Sequence, residues 1–233
     1  MAFKAKQDYY DLCSKAAGLT LVSTTENKTE SVAEAQGEDG FVVATLTYGT
    51  RSAPACEYIV TETTTLTGVT LGDVHAVSDD NFCLGEITIT TAAGSVPTLA
   101  ASGSQVESGT VLGGCTCAMP QVTVSRLHHA QTFGAFDLSG ESGVHLTQCT
   151  FTAQCNVSTA DKDGVPLAHD IVDGRCTVTG TVQCSTSPYA RPTIHPHTGW
   201  DITSPLTETN PDSDFPTYTF TLTHYLADSS SSD

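Results

Sequence analysis

Two segments of this chain alternate small apolar and polar side chains with a period of two. In Cys149-Thr-Phe-Thr-Ala-Gln-Cys-Asn-Val157 the odd-numbered positions hold Cys, Phe, Ala, Cys and Val, and polar residues fill the rest. In Cys176-Thr-Val-Thr-Gly-Thr-Val-Gln-Cys184 one face reads Cys, Val, Gly, Val, Cys. A helix would scatter these residues around its circumference, whereas a strand gathers them on one side. The pattern predicts strands whose thiols line a buried face, where cysteine behaves as a small hydrophobe. That accounts for most of the nine cysteines without disulfides or metal. Cys115-Thr-Cys117 is too short for a CxxC half-site, and no second CxxC exists to complete a zinc centre. Disulfides stay open as an alternative if the mature protein ends up outside a cell.

The rest of the chain has the same texture. Segments 41–48, 57–63, 66–71, 86–91, 121–125, 147–157, 175–184 and 217–226 are rich in Val, Ile, Thr, Phe and Tyr. Turn residues separate them at Gly37-Glu-Asp-Gly40, Asp79-Asp-Asn81, Ala93-Gly94, Gly113-Gly114, Asp163-Gly164 and Asp173-Gly174. Abundant threonine suits the wet face of strands, being β-branched yet polar. Residues 2–18 are the exception: Ala, Lys, Gln and Leu dominate, Tyr9, Leu12, Cys13 and Ala16 form an apolar stripe, and Gly18 can end the helix. The expected fold is mainly β, an antiparallel sandwich or barrel with one N-terminal helix.

Residues 1–40 read as that helix followed by an acidic surface loop, Glu30 to Gly40. A body over 41–227 follows, either one unit or two sub-units divided near 130, and 228–233 is a polar tail. Within the body, Ser185–Pro216 holds six of the ten prolines, which predicts an extended arm or long loop rather than strands. Glu107-Ser-Gly-x-x-Leu-x-x-Cys-Thr116 recurs as Glu141-Ser-Gly-x-x-Leu-x-x-Cys-Thr150, which reads either as a duplicated turn-plus-strand unit or as coincidence in a Ser- and Thr-rich chain.

No catalytic signature is present: no GxSxG elbow, HExxH, P-loop or GxGxxG. The best metal-like group is His195-Pro-His197 with Asp201, since residues i and i+2 of an extended chain can point the same way. The plainer reading, histidines packed beside Trp200 and the prolines, is preferred. His128-His129 face opposite ways on a strand. Asp161-Lys-Asp-Gly164 opens like a calcium loop, but Val172 stands where the bidentate Glu of an EF-hand belongs. Acidic pairs Asp79-Asp80 and Glu38-Asp39 fall in turns. The chain is therefore expected to be no enzyme, with no catalytic, cofactor-binding or metal residues assigned and no cofactor.

Charge bears on partners. Nine Lys+Arg stand against 26 Asp+Glu, a formal net charge of −17. So few cations exclude a broad, tight nucleic-acid interface. No run reaches the roughly 18 apolar residues of a membrane span. The N-terminus lacks the apolar run and cleavage site of a secretory signal, so synthesis in a cytoplasm is expected, and sequons Asn27-Lys-Thr and Asn156-Val-Ser then carry no glycan.

Strand edges, the loop and the arm all offer ways to engage neighbouring copies. In this texture the chain resembles bacteriophage virion structural proteins, tail-tube proteins in particular. The likeness lies in Glu34-Ala-Gln-Gly-Glu-Asp-Gly-Phe-Val-Val-Ala44 leading into a strand, and in the segment Pro97-Thr-Leu-Ala-Ala-Ser-Gly103, read as a turn. The resemblance implies a virion subunit made in the host cytoplasm and stacked in rings with other copies and other virion proteins, a long loop bridging neighbours. An acidic wall would then keep phosphates in the middle of a DNA conduit. Capsid-decoration and baseplate roles remain open beside it. The rival from another class is an extracellular adhesin or lectin-like module using His195, His197, Trp200 and Asp201.

Overall fold

The computed structural model describes residues 13, 17–66, 69–77, 80–106, 119–125, 131, 133–138, 141–162, 165–185, 191–209 and 215–226. The strands are β1 (Leu19–Gln36), β2 (Val42–Val60), β3 (Thr64–Thr65), β4 (Val74–Val77), β5 (Asp80–Ala92), β6 (Thr98–Val106), β7 (Thr123–Val124), β8 (Phe136–Asp137), β9 (Val144–Lys162), β10 (Val165–Cys184), β11 (His195–Pro196), β12 (Asp201–Glu208) and β13 (Thr217–Tyr225). Nine of them make one antiparallel sheet in the order β1-β2-β6-β5-β9-β10-β13-β12, with β4 beside β5. β10 comes within 8 Å of β6 and β2 as well as pairing β9 and β13, so the sheet curls over its own interior. Short ladders β11–β8 and β3–β7 lie apart from it.

The core fills the concave side. Inward residues come from β2 (Cys56, Tyr58, Val60), β5 (Ile87, Ile89), β6 (Leu99, Ala101), β9 (Cys149, Phe151, Ala153), β10 (Cys176, Val178, Val182) and β13 (Tyr218, Phe220, Leu222). The connections close over them with Leu66, Leu71, Val122, Phe133, Phe136, Ile194 and Trp200. The alternation from Cys149 to Cys155 and from Cys176 to Cys184 thus places one set of side chains inward, as the period requires. All seven described cysteines are buried and none is in a disulfide. Cys115 and Cys117 lie outside the described residues.

Gly180 decides how β10 meets β13. It stands opposite Phe220 in register, and a Cβ there would lie 2.3 Å from Phe220 Cζ. The ring occupies the space a side chain would take, and it meets Phe136 edge-on at 5.0 Å between centroids. Phe133 is buried with φ at 50°, a left-handed conformation costly for a bulky residue. Its ring packs 5.5 Å from that of Phe151, so core contact offsets the local strain.

Several expectations need correction. The acidic stretch from Glu30 is not a loop: residues 30–36 complete β1, and the turn is confined to Gly37–Gly40. Pro97–Gly103 is not a turn, because Thr98–Val106 is a central strand between β2 and β5. Its Ala, Ser and Gly content argues against a strand by propensity, but two hydrogen-bonded neighbours and burial of Leu99 and Ala101 override that. Asp173-Gly174 is a register shift inside β10 rather than a reversal. Of residues 66–71, the described Leu66, Val69 and Thr70 belong to no strand. The Pro-rich segment is not wholly an arm, since it contains β11 and the eight-residue edge strand β12. A division near 130 does not separate two sheets, as β5 pairs β9 across it. Most of the helix expected over 2–18 (all but Cys13, Ala17 and Gly18), the tail 228–233, the Glu107–Thr116 copy of the repeat and the turn Asp163-Gly164 lie outside the described residues.

Candidate interaction surface

Local sequence explains why β1 and β2 form so long a ribbon. Their register runs antiparallel from Leu19↔Val60 to Gln36↔Val42. At the turn, Gly40 N donates to Gly37 O at 2.9 Å and Gly37 N to Phe41 O at 2.8 Å, with Gly40 at φ 78°. This is a tight turn closed by a left-handed glycine. Asp39 Oδ1 accepts from Phe41 N at 3.2 Å and braces it.

The ribbon joins the body at its base. β6 accompanies β2 over Ala55–Ile59 alone, stopping one residue from Pro54, which has no N–H to donate. Ser52 N donates to Gln105 Oε1 at 2.9 Å, a further tie between the ribbon and β6. From Ser52 to Val42 the ribbon advances roughly 30 Å at about 3.3 Å per residue. Its outer part carries Val32, Phe41, Val42, Val43 and Leu46, all exposed, Phe41 by 73%. Successive residues Val42 and Val43 face opposite sides of β2, so both faces of the tip hold apolar side chains in water, and clustered exposed apolar side chains mark interaction sites on soluble proteins. Glu30, Glu34, Glu38 and Asp39 are the only ionisable acids or bases among Thr29–Ala44, so the tip is apolar and anionic at once.

A second apolar feature lies at the other end of the strand order. Arg191, Pro192, Thr193, Ile194, Ile202 and Leu206, with Pro205 and Phe220, line a groove of about 230 Å³. Ile202 is half-exposed at its rim, and Arg191 Nη2 donates to Leu206 O. A hollow of about 250 Å³ on the outer face of β2, β5 and β6 holds Glu57 and Glu86. Ser23 Oγ donates to Glu57 Oε2 at 2.9 Å. These two carboxylates were not singled out in the sequence, because only strand pairing brings positions 57 and 86 together.

The sequence-derived candidates are dispersed. His195 sits on β11 opposite Asp137. His197 Nδ1 is 3.0 Å from Gly134 O, and its Nε2 is 3.6 Å from Asp137 Oδ2. Asp201 begins β12, exposed and opposite Thr223. Trp200 is buried, its ring 5.4 Å from that of His224, whose Nδ1 lies 2.6 Å from Gly199 O. The carboxylate that His197 meets is therefore Asp137, not Asp201. Among the described residues no group of three His, Cys, Asp or Glu could hold a metal ion. Asp161, Asp170 and Asp173 lie along the β9–β10 ribbon, while Asp79, His128, His129 and Asp163 are outside the described residues. Burial pushes the thiols of Cys83 and Cys149 up from 9.0 to about 12, so both are protonated and poor nucleophiles at neutral pH.

Among the described residues no helix is long and apolar enough to cross a membrane. Neither a known family nor a curated protein matches the chain.

Proposed function

We propose that this protein is a non-enzymatic structural subunit that assembles with copies of itself, in the manner of a bacteriophage tail tube within a virion, with other virion proteins as neighbours. The observation that carries the reading is the β1–β2 ribbon. It projects well clear of the body and ends in exposed Phe41, Val42, Val43 and Leu46, a costly display of apolar surface unless a partner covers it. The strong acidity supports a lumen that repels DNA phosphates. The lectin-like alternative is weakened by Trp200, which is buried and offers no platform for a sugar.

Size-exclusion chromatography with negative-stain microscopy tests the reading. Rings or tubes of the purified chain are expected, and a monodisperse monomer at tens of micromolar overturns it. Flat arrays or isolated rings that never stack shift the assignment to capsid decoration or baseplate. In a ring reconstruction the acids should face the lumen. Acids clustered outside, with a neutral or basic channel, remove the DNA-conduit role.

A further inference from the structure

We infer that the ribbon tip of one copy seats in the Arg191–Ile202–Leu206 groove of the next, a contact that rests on the self-assembly reading above and names its two faces. The groove is apolar and, at about 230 Å³, below the roughly 300 Å³ of small-molecule pockets. It suits one or two side chains delivered on a rigid support. Phe41 and Val43 meet that description, because the hydrogen-bonded turn at Gly37–Gly40 holds the tip in place before any contact.

Charge selects a second copy as the occupant. Arg191 is the only Lys or Arg from Cys176 to the end of the chain, and it stands at the groove. One N–H reaches Leu206 O, and a guanidinium has five, so donors remain for a carboxylate. The apolar tip is flanked by Glu38 and Asp39. An apolar knob with an acidic collar thus matches an apolar hole with a cation at its rim, on a chain whose surface otherwise repels itself.

Backbone addition at the β12 edge is the competing mode, and the strand is poorly made for it. Its pairing with β13 shifts register between Ile202 and Ser204 and again between Ser204 and Thr207. Pro205 offers no N–H. Side-chain insertion beside that edge remains the available contact. Knob and hole lie on different surfaces, so a contact made once per pair of copies is heterologous and propagates into a closed ring or an open filament.

The test mixes two separately tagged full-length chains, one carrying Val43→Cys and the other Ile202→Cys, with a short bismaleimide. A cross-linked heterodimer is expected, lost when Phe41→Ser is added, and absent from a control pairing Val96→Cys with Ile202→Cys. Arg191→Glu should raise the concentration needed for assembly roughly tenfold, with recovery when combined with Glu38→Arg and Asp39→Arg. Wild-type oligomers that show no cross-link above the control overturn this contact while leaving self-assembly standing. A wild-type chain that stays monomeric overturns both.

Discussion

Gly180 and the inward thiols set the energetics at the scale of single residues. A methyl at position 180 would meet the Cζ end of Phe220, a ring already buried and packed against Phe136. Gly180→Ala is therefore expected to lower stability by about 1–3 kcal/mol, as overpacking of a tight core does, read as a fall in the urea midpoint. An unchanged midpoint would mean the β10–β13 contact is looser than described. The thiols make a pH prediction. The folded state holds the protons of Cys83 and Cys149 up to about pH 12, whereas unfolded thiols lose theirs near 9.0. The stabilisation is complete below pH 9 and is lost as pH rises toward 12, at about 1.4 kcal/mol per unit for each thiol. Urea melts at pH 8 and pH 10 should show the fall, and Cys→Ala at both positions should flatten it.

At the scale of elements, the ribbon and the body should separate. Beyond Ser52 the described ribbon gives its outer side chains to solvent, not to the core. Joining Lys28 to Ser52 through Asn-Gly, a two-residue turn that suits a hairpin, is expected to leave a folded body whose thermal midpoint shifts by a few degrees at most. The same variant should elute as a monomer. Loss of the folded state instead would place the ribbon in the folding nucleus and remove it as a dispensable contact arm. Here the sequence was hard to read for a physical reason. β1 past Glu26 has no core beneath it, so nothing imposes alternation, and Glu30, Glu34 and Glu38 look like a loop. β6 was equally obscure, since its small residues are strand-like only because β2 and β5 flank them.

For the whole molecule, charge and apolar contact oppose one another. Each incoming copy brings −17, so self-repulsion should weaken assembly at low ionic strength. Salt that shortens the Debye length from about 30 Å at 0.01 M to about 8 Å at 0.15 M should promote it. Sedimentation across that range checks the sign, and oligomers that dissolve as salt rises would make ionic pairs the dominant contact. Assemblies should also retain no duplex DNA in a gel-shift assay at physiological salt.

The period-two runs Cys149–Val157 and Cys176–Cys184 determined by themselves that this is a β protein with its thiols inside, because side-chain periodicity follows from backbone geometry at each residue. Cation scarcity likewise sets the expectation of no broad phosphate-binding surface, which the gel shift tests. Which strands neighbour one another, that His197 meets Asp137 rather than Asp201, and that an acidic stretch becomes a projecting ribbon were decided by tertiary structure alone. Those depend on partners distant in the chain, and no local pattern encodes the company a residue keeps.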